Sequence, residues 1–413
     1  MEKKKRIAVF AALLCSATGF GLINAQKKVV VSAEKITESV YFSGENEKVE
    51  QTGSLEKEDL QIRGKSAYLM DFGTQTLLYS KNENQRLPIA SMCKIMTLLL
   101  SFEAIEEGNL SFDEEITISE RAASMGGSQV FLEANAKYKV RELIKSIVVC
   151  SANDSCVALA ERIAGNENVF VDRMNKKAEE LGAENTLFAN CTGLPKEPQY
   201  SCAKDVAIML KALLSHKEYF EFGKVWMDKF QHPEGRYTEI SNTNKLVRFY
   251  DGCDGGKTGF TNEAGFCLAA TAKRNEMRII SVVIGEENSK NRFDDVRTMF
   301  DYAFANYKMT LIAKVNEPLE NQMPLDGGKE KSVCVYPQRS AYAFNRNGEK
   351  ANITTEIQWK KRRAPVKKDE EVGEMLIFRD GIEVDRVKLL AQKDVNEATF
   401  WDRWNDVARN WNG

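Results

Sequence analysis

The sequence predicts an α/β layer domain followed by a small all-β domain. In the first 307 residues, segments with the alternation of β-strands lie at both ends of a middle portion with helical periodicity, which favours a sheet covered by helices. After Lys308 the pattern changes to short alternating segments separated by glycine-rich or charged turns, typical of β-strands. A chain of 413 residues is long enough for both domains.

The first 25 residues have the layout of a secretory signal peptide. A basic run at residues 3–6 precedes an apolar stretch over residues 7–23, and the small residue Ala25 marks a cleavage site. Two hydroxyl residues and two glycines interrupt the stretch, so we do not expect a membrane-spanning helix there. Residues 26–58 are polar and acidic with little periodicity, and we interpret them as a linker. The protein is therefore expected to be exported.

Residues 59–307 are predicted to form the α/β domain. A strongly apolar segment from Ser91 to Gly108 predicts a buried helix capped by Ser91. The other predicted elements are strands at 66–70, 76–80, 264–272 and 277–285 and helices at 140–150, 154–164, 168–181, 203–214 and 292–307. The all-β domain takes residues 308–395, and its basic run at 360–368 is interpreted as a solvated hairpin.

Composition excludes several kinds of function. The formal net charge of −2 and the isoelectric point near 6.0 argue against binding of nucleic acid. The two histidines, His216 and His232, lie in no motif of a Ser-His-Asp triad. The chain has no metal-ligand spacing and no glycine-rich phosphate loop, so we expect neither a metal nor a cofactor. A hydrolase built from this sequence needs another base, and lysine is the candidate.

The cysteines do not have the spacing of a disulfide framework. Eight of the nine lie beyond the signal peptide, in a chain too large to depend on covalent cross-links. Cys93, Cys150 and Cys253 also lie beside the motifs described next. We expect most of these cysteines to be free thiols.

The pattern S-x-x-K occurs four times, beginning at Ser32, Ser54, Ser91 and Ser201. The first two fall in the linker, and Ser201 is interpreted as the cap of the helix that follows it. Ser91 opens the most apolar helix, so that Lys94 lies one turn later on the same face. The amino end of a helix also offers N–H groups to an oxyanion. The alternative is that Ser91 is only a helix cap.

Two further motifs follow in order. Ser151-Ala152-Asn153 interrupts a helical pattern 60 residues after Ser91, and Lys257-Thr258-Gly259, the only K-T-G, begins 106 residues after Ser151. Glycines precede the K-T-G and a hairpin follows it, as expected of an edge strand that a peptide can approach. The alternative for Lys257 is a solvated lysine at a strand end. The ordered set is far more specific than any one member.

These motifs and their surroundings resemble the D-alanyl-D-alanine carboxypeptidases, the low-molecular-mass penicillin-binding proteins. The likeness runs from about Glu58 to the C-terminus. It implies a penicillin-binding or β-lactamase-like transpeptidase domain, an antiparallel sheet with a helical subdomain, followed by the small all-β domain. The segments that carry it are 90–97 (ASMCKIMT), 125–129 (MGGSQ), 151–154 (SAND), 251–252 (DG), 256–261 (GKTGFT) and 264–265 (AG).

The resemblance implies that Ser91 is a nucleophile that forms an acyl-enzyme, with Lys94 as its general base. Ser151 would relay a proton to the leaving amine, and Asn153 would orient Lys94 and the substrate amide. A neutral lysine near pH 7 needs its pKa lowered by roughly three units from about 10.4. Burial and the second ammonium group of Lys257 would both lower it.

The remaining roles implied by the resemblance concern substrate binding. The N–H groups of Ser91 and Phe260 would form an oxyanion hole. The strand Lys257, Thr258 and Gly259 would bind the substrate, with the first two side chains holding its terminal carboxylate. Arg292 is a further candidate for this carboxylate, the alternative being a salt bridge on a helix surface. The expected ligands are the pentapeptide stems of peptidoglycan and β-lactam antibiotics.

Two other functions are compatible with parts of this pattern. A class A β-lactamase shares all three motifs, but it carries an E-x-x-L-N segment between the second and third, which this chain lacks, and it has no additional β domain. A non-catalytic wall-binding scaffold would be expected to have lost a motif residue, and none is lost.

The last residues, 396–413, are predicted to form an amphipathic helix. Phe400, Trp401, Trp404, Val407, Ala408 and Trp411 recur at helical spacing, with charged residues between them. We interpret this helix as an anchor at the extracytoplasmic face of the cell membrane, the alternative being a helix docked on the β domain.

Overall fold

The computed structural model describes residues 28–32, 35–37, 59–348 and 351–404. They fall into two compact units. We call the unit of residues 59–310 and 344–348 the α/β unit, and the unit of residues 28–32, 35–37, 311–343 and 351–404 the β unit. The predicted signal peptide lies outside the described residues.

The strands in chain order are β1 (Lys28–Ser32), β2 (Lys35–Thr37), β3 (Ser66–Asp71), β4 (Leu77–Lys81), β5 (Glu115–Thr117), β6 (Lys137–Lys139), β7 (Met227–Gln231), β8 (Tyr237–Ser241), β9 (Cys253–Thr261), β10 (Gly265–Arg274), β11 (Met277–Glu286), β12 (Tyr307–Ala313), β13 (Met323–Pro324), β14 (Ser332–Val333), β15 (Val335–Pro337), β16 (Ala341–Arg346), β17 (Ile353–Trp359), β18 (Glu371–Arg379) and β19 (Ile382–Ala391).

The α-helices in chain order are α1 (Lys94–Glu106), α2 (Glu120–Ala123), α3 (Val140–Cys150), α4 (Asn153–Ala164), α5 (Glu167–Glu180), α6 (Ala203–Leu214), α7 (Tyr219–Gly223), α8 (Leu246–Phe249) and α9 (Ser289–Asn306). Residues 400–404 form a further helical turn. The predicted helices at 140–150, 154–164, 168–181 and 203–214 are confirmed to within one residue at each end.

A five-stranded antiparallel sheet forms the centre of the α/β unit, in the order β4-β3-β11-β10-β9. Because side chains alternate along a strand, its two faces enter two separate cores. Met70, Ile280 and Val282 belong to the core that contains α1 and α3–α6. Leu69 and Ile279 belong to the core that contains α9. The prediction of a sheet layered between helices is confirmed, and β9 is an edge strand as expected.

The amino end of the apolar helix differs from the prediction. Residues Ala90–Cys93 form a 3₁₀ turn, and the α-helix begins at Lys94. No side chain caps either element, so the reading of Ser91 as a helix cap is wrong. Ser201 does not cap α6 either: the Sγ atom of Cys202 accepts from the Asp205 N–H there. The Ser201 hydroxyl lies 2.8 Å from the Thr186 hydroxyl instead.

A six-stranded sheet in the order β15-β19-β18-β17-β1-β2 forms the centre of the β unit. Strands β1 and β2 lie within residues 26–58, and β1 pairs with β17, so the linker prediction is wrong for these residues. In the basic loop, Lys360 forms ion pairs with Glu371 and Glu374. The eight cysteines beyond the signal peptide, all of them within the described residues, are free thiols, as expected.

Candidate active site

Ser91 lies on the 3₁₀ turn that precedes α1, and two glycines hold this turn between them. A Cβ atom on Gly193 would lie 2.0 Å from the carbonyl oxygen of Ala90. A Cβ atom on Gly259 would lie 2.6 Å from the carbonyl oxygen of Ile89 and 3.3 Å from the backbone nitrogen of Ser91. Only glycine fits at either position, because any side chain would push the turn aside. The nucleophile candidate is therefore packed against backbone on two sides.

Lys94 is fully buried at the first position of α1, one helical turn after Ser91. Its Nζ atom lies 2.8 Å from Ser91 Oγ and 2.5 Å from the carbonyl oxygen of Thr192. Burial lowers the pKa of the Lys94 ammonium group, since the charged form loses its hydration. A hydroxyl beside a buried amine with a lowered pKa is the geometry of a serine activated by a lysine base.

The S-x-N motif forms the junction between α3 and α4. Ser151 terminates α3 in the left-handed conformation, with φ of 68°, and its hydroxyl is buried without a partner among the described residues. Asn153 donates from Nδ2 to the Gly126 carbonyl at 2.7 Å, and its Oδ1 is buried with no hydrogen-bond partner in the described part of the chain. No hydrogen bond joins Asn153 to Lys94 in the described part of the chain. The Thr192 carbonyl holds the Lys94 amine instead.

Lys257 is buried on the edge strand β9, with only 1% of its surface exposed, so the alternative of a solvated lysine is wrong. Burial lowers its pKa well below the ordinary value, and the neighbouring Lys94 charge lowers it further. Its Nζ atom donates to the Thr258 carbonyl at 3.1 Å. The Thr258 hydroxyl donates to the Thr243 hydroxyl at 2.8 Å. The edge strand thus presents an amine and a hydroxyl beside the Ser91 turn.

The start of β9 is held by Tyr219 of helix α7. The Tyr219 hydroxyl, which is buried, accepts from the Gly256 N–H at 2.9 Å. A Cβ atom on Gly255 would lie 2.8 Å from the tyrosine ring, so the strand rests directly on it. Gly256 adopts φ of 127°, a conformation that side chains rarely take. Together these contacts fix the strand immediately before Lys257.

Phe260 and Arg292 lie at the other end of the K-T-G strand. Phe260 is half exposed and stacks on Phe266 of β10, with ring centroids 4.2 Å apart. Arg292 of α9 is buried and donates to the Gly259 carbonyl at 3.1 Å, so the alternative of a surface salt bridge is wrong. Burial lowers the pKa of its guanidinium to about 10. It supports the strand behind the Ser91 turn.

A buried carboxyl pair lies at the end of β11, opposite Phe266 in the sheet. Asp295 is paired with Arg63 at 2.6 Å, and its pKa is lowered. The two carboxylate oxygens of Glu286 have no hydrogen-bond partner among the described residues, and burial raises its pKa above the ordinary value while the nearby Arg63 charge opposes the rise. Glu286 is therefore protonated more readily than an exposed glutamate.

The structure joins Ser91 directly to Lys94 and sets the K-T-G strand against the Ser91 turn, and it adds three residues that the sequence did not predict. The α1 turn, the α3–α4 junction and β9 supply Ser91, Lys94, Ser151, Asn153, Lys257, Thr258 and Gly259. The residues missed are Thr192, which acts through its carbonyl, and Thr243 and Tyr219, which hold β9. The polar, glycine-containing segment 190–194 between two predicted helices is a signal for Thr192 alone, and no motif marks Tyr219 or Thr243.

Comparison with known proteins agrees with this geometry. Residues 51–288 match the family model described as D-alanyl-D-alanine carboxypeptidase, and residues 307–397 match the model of the C-terminal domain of penicillin-binding protein 5. The chain is 40% identical to the D-alanyl-D-alanine carboxypeptidase DacF of Bacillus subtilis over 83% of this chain and 88% of that protein.

Solved structures show the same likeness. Penicillin-binding protein 5 of Haemophilus influenzae aligns with a TM-score of 0.66 at 29% identity, over 82% of this chain and 98% of that one. The ampicillin-bound form of penicillin-binding protein D2 of Listeria monocytogenes aligns with a TM-score of 0.53 at 30% identity, over 58% of this chain and 97% of that one.

The fold and the site define a serine-type peptidase of the penicillin-binding class, with a lysine in place of histidine as the base candidate. The chain belongs to the D-alanyl-D-alanine carboxypeptidase family, which confirms the predicted reaction, a serine-type cleavage of D-Ala-D-Ala peptides, and the predicted fold. The β-lactamase and scaffold alternatives are set aside by the same match, which includes the C-terminal β domain.

Proposed function

We propose that this protein is exported and removes the terminal D-alanine from pentapeptide stems of peptidoglycan, with Ser91 as the nucleophile. The observation that carries the proposal is the contact of 2.8 Å between the Ser91 hydroxyl and the buried Lys94 amine. Because burial favours the neutral amine, Lys94 can take the hydroxyl proton.

In the acylation step, Ser91 Oγ attacks the carbonyl carbon of the penultimate D-alanine. The oxygen that becomes negative is held by the N–H groups of Ser91 and Phe260, which the close approach at Gly259 brings to one side of the turn. The proton passes from Lys94 to the leaving amine by way of the Ser151 hydroxyl, which has no other described partner. Peptide-bond cleavage releases D-alanine and leaves an ester on Ser91.

Substrate binding uses the edge strand. The peptide lies along β9, and its terminal carboxylate pairs with Lys257 and the Thr258 hydroxyl. Arg292 adds positive charge behind this position through its contact with the Gly259 carbonyl. The unpartnered Oδ1 of Asn153 accepts from the substrate amide. In the second step, water attacks the ester while Lys94 accepts its proton, and Lys94 returns that proton to Ser91 Oγ as the ester bond breaks and the shortened stem is released.

A β-lactam antibiotic carries a carboxylate and a strained amide that fit the same positions, so the protein is expected to form a stable penicilloyl ester on Ser91. The test is labelling by a fluorescent penicillin together with release of D-alanine from a peptide ending in D-Ala-D-Ala. Ser91→Ala should lose both activities. Labelling that persists in Ser91→Ala, or a labelled peptide that maps elsewhere, would contradict the proposal.

We further propose that the C-terminal helix holds the protein at the membrane surface. Phe400, Trp401 and Trp404 are exposed over 71%, 70% and 59% of their surface. The polar side of the same turn faces the β unit, because Asp402 accepts from the Thr399 N–H and pairs with Lys329. The outward aromatic side favours a membrane contact over docking on the β unit. Val407, Ala408 and Trp411 lie outside the described residues.

The helices of the described residues include none long and apolar enough to span a bilayer. Each exposed aromatic side chain buried among headgroups contributes about 1.5–3 kcal/mol, so the double variant Trp401→Ala/Trp404→Ala should lower partitioning into liposomes by about 100-fold or more. Phe249→Ala, which removes an equally exposed ring from the α/β unit, is the control and should leave partitioning unchanged. Unchanged partitioning of the double variant would refute the anchor.

A further inference from the structure

Residues 190–192 run along the start of helix α1, which carries Lys94. Three side chains from the 3₁₀ turn and the first turn of α1 donate to the three consecutive carbonyls of these residues. Cys93 Sγ donates to the Asn190 carbonyl at 3.2 Å, and Thr97 Oγ1 donates to the Cys191 carbonyl at 2.6 Å. Lys94 Nζ donates to the third, that of Thr192. The backbone of 190–192 is thus aligned with α1, one carbonyl for each donor. Of these three contacts, only the one to Lys94 reaches a group that reacts.

The Asn190 side chain holds the turn that follows. Its Oδ1 accepts from the Gly193 N–H at 2.7 Å, from the Thr192 N–H at 3.1 Å and from the Thr192 hydroxyl at 3.2 Å. Its Nδ2 donates to the Leu194 carbonyl at 2.8 Å. With only 7% of its surface exposed, Asn190 makes these bonds in place of water. One side chain therefore sets the direction of the peptide group whose oxygen meets Lys94.

That direction matters because a neutral amine has two N–H bonds and a single lone pair. A carbonyl oxygen accepts and cannot donate, so one Lys94 N–H must point at Thr192. With this bond fixed, rotation of the amine is restricted and its lone pair can face the Ser91 hydroxyl on the other side. Without the bond, the amine can turn an N–H towards Ser91, which is unproductive for proton removal.

The same turn also touches the nucleophile. Gly193, with φ of 81°, brings its Cα against the Ala90 carbonyl so closely that no side chain fits. Residues 190–194 therefore contact the Lys94 amine through the Thr192 carbonyl and the peptide group that precedes Ser91 through Gly193.

We infer that Asn190 is a positioning residue for the reaction, because it holds the Thr192 carbonyl that aims the Lys94 lone pair at Ser91. The inference rests on the proposed roles of Ser91 and Lys94. It assigns no contact with substrate to Asn190.

The test compares Asn190→Asp and Asn190→Ala with the matched control Asn175→Asp. Asn175 is a half-buried asparagine on α5 that accepts from the Phe188 N–H and donates to the Phe188 carbonyl, and it has no described hydrogen bond to Lys94. The readout is the second-order rate constant of acylation by a fluorescent penicillin between pH 5 and 10, together with Tm. The titratable groups around Lys94 are Lys257 and the thiols of Cys93, Cys150, Cys156 and Cys191.

Burial raises the pKa values of those four thiols, so they stay neutral and the lower-pH limb of the profile reports the lysines. In Asn190→Asp the carboxylate can still accept from the Thr192 and Gly193 N–H groups but loses the donor to the Leu194 carbonyl, and its negative charge stabilises the Lys94 ammonium. The lower-pH limb should therefore move to higher pH by about one unit, with the wild-type rate approached above it. Asn190→Ala should lose about 100-fold in rate, as expected for a base displaced by about 1 Å. Asn175→Asp should leave the limb in place.

An unshifted limb in Asn190→Asp, or the same shift in Asn175→Asp, would overturn the inference, even if Tm falls. If Asn190→Ala does not fold, the aspartate variant alone decides. Ser91→Ala is measured in parallel: acylation that survives it would refute the proposed function, whereas Ser91-dependent acylation with an unshifted limb refutes only the role of Asn190.

Discussion

Gly259→Ala tests the oxyanion hole without removing any functional group. The new methyl group would lie 2.6 Å from the Ile89 carbonyl oxygen, whereas ordinary contact begins at 3.4 Å, so strand and turn must separate by about 0.8 Å. The movement draws the Phe260 N–H away from the Ser91 N–H. Loss of one oxyanion donor costs about 100- to 1000-fold in rate, or about 2.7–4 kcal/mol, and we expect the penicillin acylation rate to fall by this factor.

The measurement is stopped-flow acylation over a range of penicillin concentrations, which separates initial affinity from the acylation rate constant. The rate constant should fall while initial affinity changes less than tenfold. Gly73→Ala is the control, since its methyl group meets its nearest neighbour at an ordinary 3.4 Å in the β3–β4 turn, away from the site. A Gly259→Ala enzyme with the wild-type rate constant would show that the strand does not supply the oxyanion donor.

Three further predictions follow from the described contacts. Lys94→Arg should be as inactive as Lys94→Ala in D-alanine release, because a guanidinium does not give up its proton; residual turnover in the arginine variant alone would refute the base role. Ser201→Ala should keep full penicillin labelling, while its free energy of unfolding in urea should fall by about 1 kcal/mol because the hydrogen bond to Thr186 is lost. Loss of labelling would contradict the choice of Ser91 as the nucleophile. The pKa of the Glu286 carboxyl is higher in the folded protein than its ordinary value of 4.5, so the folded state binds this proton more tightly. The free energy of unfolding should therefore fall as pH rises above about 5, and Glu286→Gln should remove much of that decline in urea titrations at about pH 5 and 8.

The parts of the fold that were predictable are those that a local pattern of side chains specifies, such as a polar break at a helix end or the alternation of a strand. Helix α3 ends at Cys150 because Ser151 takes a left-handed conformation, and the polar S-x-N break marks that end in the sequence. The alternation of β10 and β11 and the unique K-T-G likewise located the edge strand. Motif order, rather than any single motif, identified the family.

The parts that were missed depend on backbone groups, which every residue possesses. The Thr192 carbonyl accepts a hydrogen bond from Lys94, but the residue type at a position does not predict that its backbone carbonyl will be such an acceptor. Sequence reasoning assigned that place to Asn153, whose amide is instead bound to Gly126. The capping error at Ser201 has a related cause, since a cysteine thiol, which seldom caps a helix, took the position of the expected hydroxyl.

The glycines on either side of the Ser91 turn limit which substitutions can make this enzyme resistant to a β-lactam. Gly193 and Gly259 each face backbone at a distance no side chain can occupy, so the surroundings of the nucleophile cannot be narrowed by substitution at either position without displacing Ser91 itself. Phe260, by contrast, is half exposed next to them. Selection for β-lactam resistance in this protein should therefore collect changes at Phe260 and leave the two glycines untouched.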